Sequence, residues 1–301
     1  DASPPATTVD VGLPRHAGAY VFVTPQTPFT LPAVDPGPNA VGLLETTYRV
    51  WRGGWSAWTA FVVPFTLGAG DGLVYLEYAS EDLLGNREAV GNATFIVDET
   101  DPMLDVRIDG LTFLAGNGTL FAAGNASLAF TAADPGLWAS GVDLVEYAFD
   151  SGAWTPALAP VSLVSLAHGM HRVDARAADH LGHAATAQLL FLLDARAPRT
   201  TPEVQGTEDE ASLLLAATDD GSGVNATFYS LDGGVWRRYE GAIPVPPGDH
   251  VVAYYSTDRI GNREAVQEFP FTVAGPAAPP GTNAKPLLAA VFASLLVGLG
   301  F

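Results

Sequence analysis

Apolar and polar positions alternate with a period of two along most of the chain. Leu73-Val-Tyr-Leu-Glu-Tyr78 and Val251-Val-Ala-Tyr-Tyr-Ser256 show the pattern, with β-branched and aromatic residues enriched. This is the signature of strands that bury one face and wet the other. Before residue 285 no segment carries an apolar stripe at helical spacing between capping residues. The chain is therefore predicted to be all-β.

The strand-like runs recur in one order three times, which marks a tandem repeat. Tyr48 and Trp55, Tyr147 and Trp154, and Tyr229 and Trp236 are each seven residues apart. Asp150-Ser-Gly152 and Asp232-Gly-Gly234 lie inside the last two intervals and read as hairpin turns, whose residues must tolerate positive φ. An Asp-x-x-Gly turn follows at Asp82, Asp179 and Asp258, and then a strand holding Phe95, Phe191 or Phe271. Upstream of each Tyr a further acid, Asp35, Asp134 or Asp219, leads into a Gly-containing loop. Blocks of ~80–97 residues suit β-sandwich domains, and the landmarks set boundaries at 1–98, 99–194 and 195–275. In this alignment Trp55 is the shared core Trp. Trp51 falls where the other blocks have Asp150 and Asp232, at a turn tip, and Trp138 is peculiar to its own loop. These two are the exposed aromatics expected at a ligand or subunit contact.

The third block carries Tyr229-Ser-Leu-Asp-Gly-Gly-Val-Trp236, Gly248-Asp-His250-Val-Val and Asp258-Arg-Ile-Gly-Asn-Arg-Glu264. It resembles the immunoglobulin-like repeats of bacterial and archaeal surface proteins. The first block keeps Trp55 and Gly85-Asn-Arg-Glu88, with Trp51 in place of the turn Asp, and the second has His183 where the others have Asn. The resemblance covers nearly all of residues 1–275 and implies three tandem immunoglobulin-like β-sandwich domains. Repeats of this kind occur in adhesins, envelope layers and enzyme accessory regions, so fold transfers more readily than function.

The two ends add to this picture. Asp1 falls in register with Asp98 and Asp194, because Pro5, Pro102 and Pro198 each follow four residues later. That register suits an array continuing N-terminally, with signal cleavage at Asp1 as the competing explanation. Residues 276–285 form a Pro/Ala/Gly linker, and 286–301 an uncharged tail expected to be helical. At ~1.5 Å per residue the tail spans roughly 24 Å against a hydrocarbon core of ~30 Å, and no basic flank follows it. It reads as a membrane anchor or as an assembly element joining subunits through Leu287, Leu288, Phe292, Leu295 and Leu296.

Composition narrows the function classes. A net charge of −19, from 33 acids against 14 Lys and Arg, repels phosphate and excludes nucleic acid as a partner. With no cysteine, neither disulfides nor thiolate metal sites can staple the fold. Asn92, Asn117, Asn125 and Asn225 each begin an Asn-x-Ser/Thr sequon and are glycosylation candidates in an exported chain.

No Ser/His/Asp neighbourhood, His-Glu-x-x-His or phosphate loop appears at usable spacing, so no catalytic residue is assigned and no enzyme is expected. The histidines of the second block fall into two separate pairs, His168 with His171 and His180 with His183. Calcium is the one cofactor considered, held by Asp98, Glu99 and Asp101 at a domain junction; the turn acids otherwise read as caps of their own turns. The expected function is a structural extracellular cell-surface protein that self-associates in an envelope layer or filament and meets a membrane through its tail. An adhesin or glycan-binding stalk, and the accessory C-terminal region of a secreted enzyme, are the alternatives.

Overall fold

The computed structural model describes residues 2–206 and 210–275, and every regular element among them is a strand. The tail and linker, with Leu287, Leu288, Phe292, Leu295 and Leu296, lie outside the described residues, as does Asp1. Among the described residues no helix is long and apolar enough to cross a membrane.

The sheets group along the chain into three sets. The first has a six-stranded sheet in the order Arg15–Ala17, Val21–Val23, Gly91–Val97, Gly72–Asp82, Leu43–Trp51 and Thr59–Ala60, with two small two-stranded sheets. The second has a six-stranded sheet in the order Thr112–Leu114, Leu120–Ala123, Ala184–Asp194, Gly169–Asp179, Val142–Phe149 and Thr155–Pro156. Met103–Asp109, Ser127–Ala133 and Val161–Ser162 form its second sheet. The third set pairs a four-stranded sheet, Arg237–Arg238, Val224–Leu231, Gly248–Asp258 and Gln267–Val273, with a three-stranded one, Arg199–Gln205, Ala211–Thr218 and Ile243–Val245. Strands run parallel where Val21–Val23 meets Gly91–Val97 and where Leu120–Ala123 meets Ala184–Asp194.

Each set has its own apolar core, because the period-two pattern turns one face of each strand inward. Phe29, Leu31, Val74, Leu76 and Phe95 fill the first, Leu128, Leu163, Val173, Phe191 and Leu193 the second, and Leu213, Leu215, Val252 and Tyr254 the third. By contacts the chain divides into two compact units: residues 1–198 with 219–225 and 257–263, and residues 199–218, 226–256 and 264 onward.

The hairpin turns adopt the expected backbone, with positive φ at Asp150, Ser151, Asp232 and Gly233. Trp55, expected in the core, lies on the outside instead. Trp55, Trp154 and Trp236 are 43%, 41% and 46% exposed. Tyr48 packs on the first core, while its neighbour Arg49 points the other way and sets its guanidinium 4.4 Å from the Trp55 ring and 4.8 Å from Trp58. Arg176 covers Trp154 in the same manner at 4.4 Å. In the first two sets the repeated Trp is thus the platform of an outer-face cation–π stack, and in the third Trp236 has its ring 5.1 Å from that of Tyr255.

A polar latch ties the first strand of the third set, Arg199–Gln205 in the three-stranded sheet, to the four-stranded sheet. The Glu264 carboxylate accepts from Thr200 N (2.9 Å), Thr200 Oγ1 (2.6 Å) and Ser256 N (3.2 Å), and Ser256 Oγ also meets Thr200 Oγ1 and Thr227 Oγ1. Glu88, Thr7, Ser80 and Thr46 repeat the arrangement in the first set. At the equivalent positions the second set has Leu104, Val145, Ala177 and Ala185.

Candidate cation-binding clusters

The same alternation that fills the cores carries an acid inside at the end of each eleven-residue strand. Along Gly248–Asp258 the buried positions are Val252, Tyr254, Ser256 and Asp258; Gly169–Asp179 buries Val173, Ala175, Ala177 and Asp179. An inward carboxylate needs donors, and the Asp-x-x-Gly turn supplies them. Asp258 Oδ1 accepts from Ile260 N and Asn262 N at 3.0 and 2.8 Å, and Oδ2 from Asn262 Nδ2 at 2.7 Å. Asp179 is held the same way by Leu181 N, His183 N and His183 Nδ1, and Asp82 by Leu84 N, Asn86 N and Asn86 Nδ2. The turn-capping reading of these acids accounts for their backbone contacts.

Further carboxylates converge on two of the turns. Asp98, Asp179 and His183 present ligand atoms within 4.8 Å of one another, and so do Asp194, Asp219 and Asp258. All six lie in the compact unit that contains residues 1–198, 219–225 and 257–263. Asp98 directly follows, and Asp194 ends, the last strand of its set; both are fully buried and accept from Ser140 N and Ser222 N, each at 2.6 Å. Asp219 arrives from a Gly-rich loop whose Gly221 and Gly223 amides bond its Oδ2 at 3.1 and 2.7 Å. A Cβ on Gly221 would collide with the Asp194 carboxylate, so glycine is required for this approach. Asp134 occupies the matching loop of the first cluster, its Oδ2 on Gly141 N at 2.7 Å.

Packing like charges out of water shows in the titration of these groups. Burial pushes Asp258 above the ordinary carboxylate value, the Asn262 donors pull it down, and the charge on Asp194 adds to the rise. Burial raises Asp134 too, with the Asp98 and Asp179 charges working in the same direction. The cationic groups that approach are sparse: His168 Nδ1 is 3.4 Å from Asp194 Oδ1, and Arg196 pairs with Asp220 at 2.5 Å.

Among the described residues, six side-chain polar atoms are sealed from solvent without a hydrogen-bond partner. They are Asp35 Oδ1, Asp134 Oδ1, Ser140 Oγ, His168 Nδ1, Asp219 Oδ1 and Ser222 Oγ. Five belong to residues at the two clusters, and Asp35 holds the equivalent loop position in the first set.

Of the residues singled out from sequence, Asp98 enters a cluster, while Glu99 accepts from Gly70 N at 2.7 Å and Asp101 is exposed. Trp51, expected at a turn tip, is instead the last residue of Leu43–Trp51, partly buried with its ring 5.2 Å from Tyr75. The tip falls one step later, at Arg52-Gly-Gly54, where Arg52 reaches the carbonyls of Leu67, Gly68 and Ala69. Trp138 is partly buried, and its neighbour Leu137 is the exposed large apolar residue of that loop. Asn92, Asn117, Asn125 and Asn225 are all exposed. Asp134, Asp219 and His183 were not joined to Asp98 and Asp194 by sequence, because the loops leading to Asp134 and Asp219 differ in length. The recurring Asp before each Gly-containing loop was the available signal.

No family model matches the chain. No curated protein matches it either. Among solved structures, part of a 1.5-MDa bacterial ice-binding adhesin aligns at TM-score 0.38 and 14% identity, covering 91% of this chain and 99% of that one. Fibronectin(III)-like modules of Clostridium thermocellum CbhA align at TM-score 0.34 and 12% identity over 62% of this chain and 95% of theirs. Cadherin domains 3–6 of protocadherin gamma B2 align at TM-score 0.33 and 17% identity, over 90% and 76%. Likenesses at these scores carry no functional argument.

Proposed function

We propose that the chain is a non-catalytic structural part of an extracellular cell-surface protein, built from three immunoglobulin-like sandwich domains at 1–98, 99–194 and 195–275. Its copies associate in an envelope layer or surface filament, with the segment beyond 275 as the attachment to a membrane or a neighbouring subunit. The observation that carries this reading is where the repeated polar residues are spent. Asp82, Asp179 and Asp258 hold their own turns, Asp150 and Asp232 bind the backbone of the adjacent strand, and Glu88 and Glu264 latch strands together. What recurs along the chain builds domains. For the glycan-binding stalk, Trp51 is partly buried beside Tyr75 instead of standing at a turn tip.

Electron microscopy of the native envelope, with the chain labelled by antibody, tests the proposal. Label tracking an ordered lattice or fibre is the expected result. Label confined to isolated stalks, or found only in the medium attached to a catalytic domain, would refute it.

A further inference from the structure

We propose that Asp194, Asp219 and Asp258 together hold a calcium ion, a use of this chain independent of the surface-assembly reading. Three carboxylates meet here with ligand atoms within 4.8 Å of one another. Calcium–oxygen bonds of about 2.3–2.6 Å put the oxygens around one ion at most about 5 Å apart, so the spacing is that of a single coordination sphere. Asp194 and Asp258 are 0% and 1% exposed, and burying several carboxylates together is costly unless a cation compensates.

The unpartnered atoms point the same way and do not depend on the cluster's charge. Asp219 Oδ1 is sealed from water and has no donor, although its twin Oδ2 has two amides. Ser222, only 3% exposed, gives its amide to Asp194 and leaves its Oγ without a partner. Buried polar atoms are rarely left so, and a metal ion satisfies several oxygens at once. The layout recurs at Asp98 and Asp179, where Asp134 Oδ1 and Ser140 Oγ are likewise unpartnered. Carboxylate and hydroxyl oxygens in an irregular loop suit Ca²⁺, whereas Mg²⁺ demands near-octahedral geometry and retains its waters. Asn262 braces the site, its Nδ2 donating to Asp258 Oδ2 at 2.7 Å and to the Asp194 carbonyl at 3.0 Å.

Hydrogen exchange on the intact chain, read at the amides of residues 219–223 and 258–262 during Ca²⁺ titration, tests this. Saturating Ca²⁺ should slow these amides by at least about tenfold, as a ligand that binds only the closed form must. Equal Mg²⁺ should not. Asp219→Asn, which keeps an acceptor for the Gly221 and Gly223 amides, should abolish the protection, and Asp134→Asn, at the other cluster, should retain it. Unchanged exchange in the native chain, or equal protection in Asp219→Asn, overturns the proposal. Should Asp219→Asn fail to fold, an anomalous difference map from a crystal grown in Ca²⁺ decides: a peak between the three carboxylates supports the site and its absence refutes it.

Discussion

Replacing Glu264 by Ala should open the third set of sheets at its first strand. The carboxylate accepts three hydrogen bonds, two from Thr200 and one from the Ser256 amide, and both residues are buried, at 5% and 0% exposure. Bonds to a charged acceptor contribute about 1.5–3 kcal/mol each, but Glu264 is itself half-exposed and the bonds share atoms, so about 3 kcal/mol in total is the reasonable figure. That corresponds to roughly a hundredfold faster exchange of the amides in Arg199–Gln205 and Ala211–Thr218, read by mass spectrometry on the whole chain. The informative comparison is a fourfold variant, Thr200→Leu, Thr227→Val, Ser256→Ala and Glu264→Ala, which installs the residues the second set already uses. Removing the side-chain partners together leaves only the main-chain amides of residues 200 and 256 without the carboxylate, so this variant should recover part of the loss, to within about 2 kcal/mol of the parent. If the fourfold variant were as labile as Glu264→Ala, or if Glu264→Ala exchanged like the parent, the latch would not work as described.

Leu213, 0% exposed at the centre of the third core, should cost about 2–5 kcal/mol on truncation to Ala; a loss below about 1 kcal/mol in urea unfolding would contradict the packing. His250 gives one ring nitrogen to Asp232 Oδ2 at 2.8 Å and the other to the Pro246 carbonyl at 2.9 Å, so both nitrogens donate and the imidazolium is the favoured form. The Asp232 hydrogen bond lifts His250 above its usual value, and the His250 bond, with the Val251 amide, lowers Asp232. The raised His250 stabilises the fold fully below about pH 6.5 and less as pH climbs through its folded pKa. The lowered Asp232 stabilises above about pH 4 and less as pH falls through its own. An NMR titration should place His250 above 6.5 and return it to the ordinary value in Asp232→Asn; an unmoved midpoint would refute the pairing.

Strands, hairpin turns and turn-capping acids were legible in the sequence because each obeys a local rule. Alternation names the inward face, and positive φ selects Asp-Ser-Gly and Asp-Gly-Gly. The Trp was misread for an equally physical reason. Recurrence at fixed spacing does not by itself mean burial, because a large aromatic can recur when its outer-face partner does: Arg49 and Arg176 cover Trp55 and Trp154 at the same 4.4 Å. The two acid clusters were invisible because their members come from a strand end, a loop and a turn, brought together by topology rather than by spacing. Glu99 and Asp101 were the nearer candidates in sequence, but Glu99 turns back to the Gly70 amide and Asp101 faces solvent.

The second set separates what the fold needs from what it carries in addition. Its latch positions have all become apolar, as Leu104, Val145, Ala177 and Ala185, and Ala177 is fully buried in a sheet of the same order and register as its counterpart in the first set. A polar network that serves only to join strands can be exchanged as a group for hydrocarbon at little cost. The acids at the strand end, the loop and the turn stand differently. Asp98, Asp134 and Asp179 persist beside that exchanged latch, although burial and mutual repulsion raise Asp134 and each carboxylate must be taken out of water. Turn-capping explains the backbone contacts of Asp179, and Asp98 likewise accepts from Thr100 N at 3.2 Å. Capping gives no reason to bring Asp98 against Asp179, or to seal Asp134 Oδ1 and Ser140 Oγ without partners. A cation shared among the oxygens supplies that reason at both clusters with one physical cause.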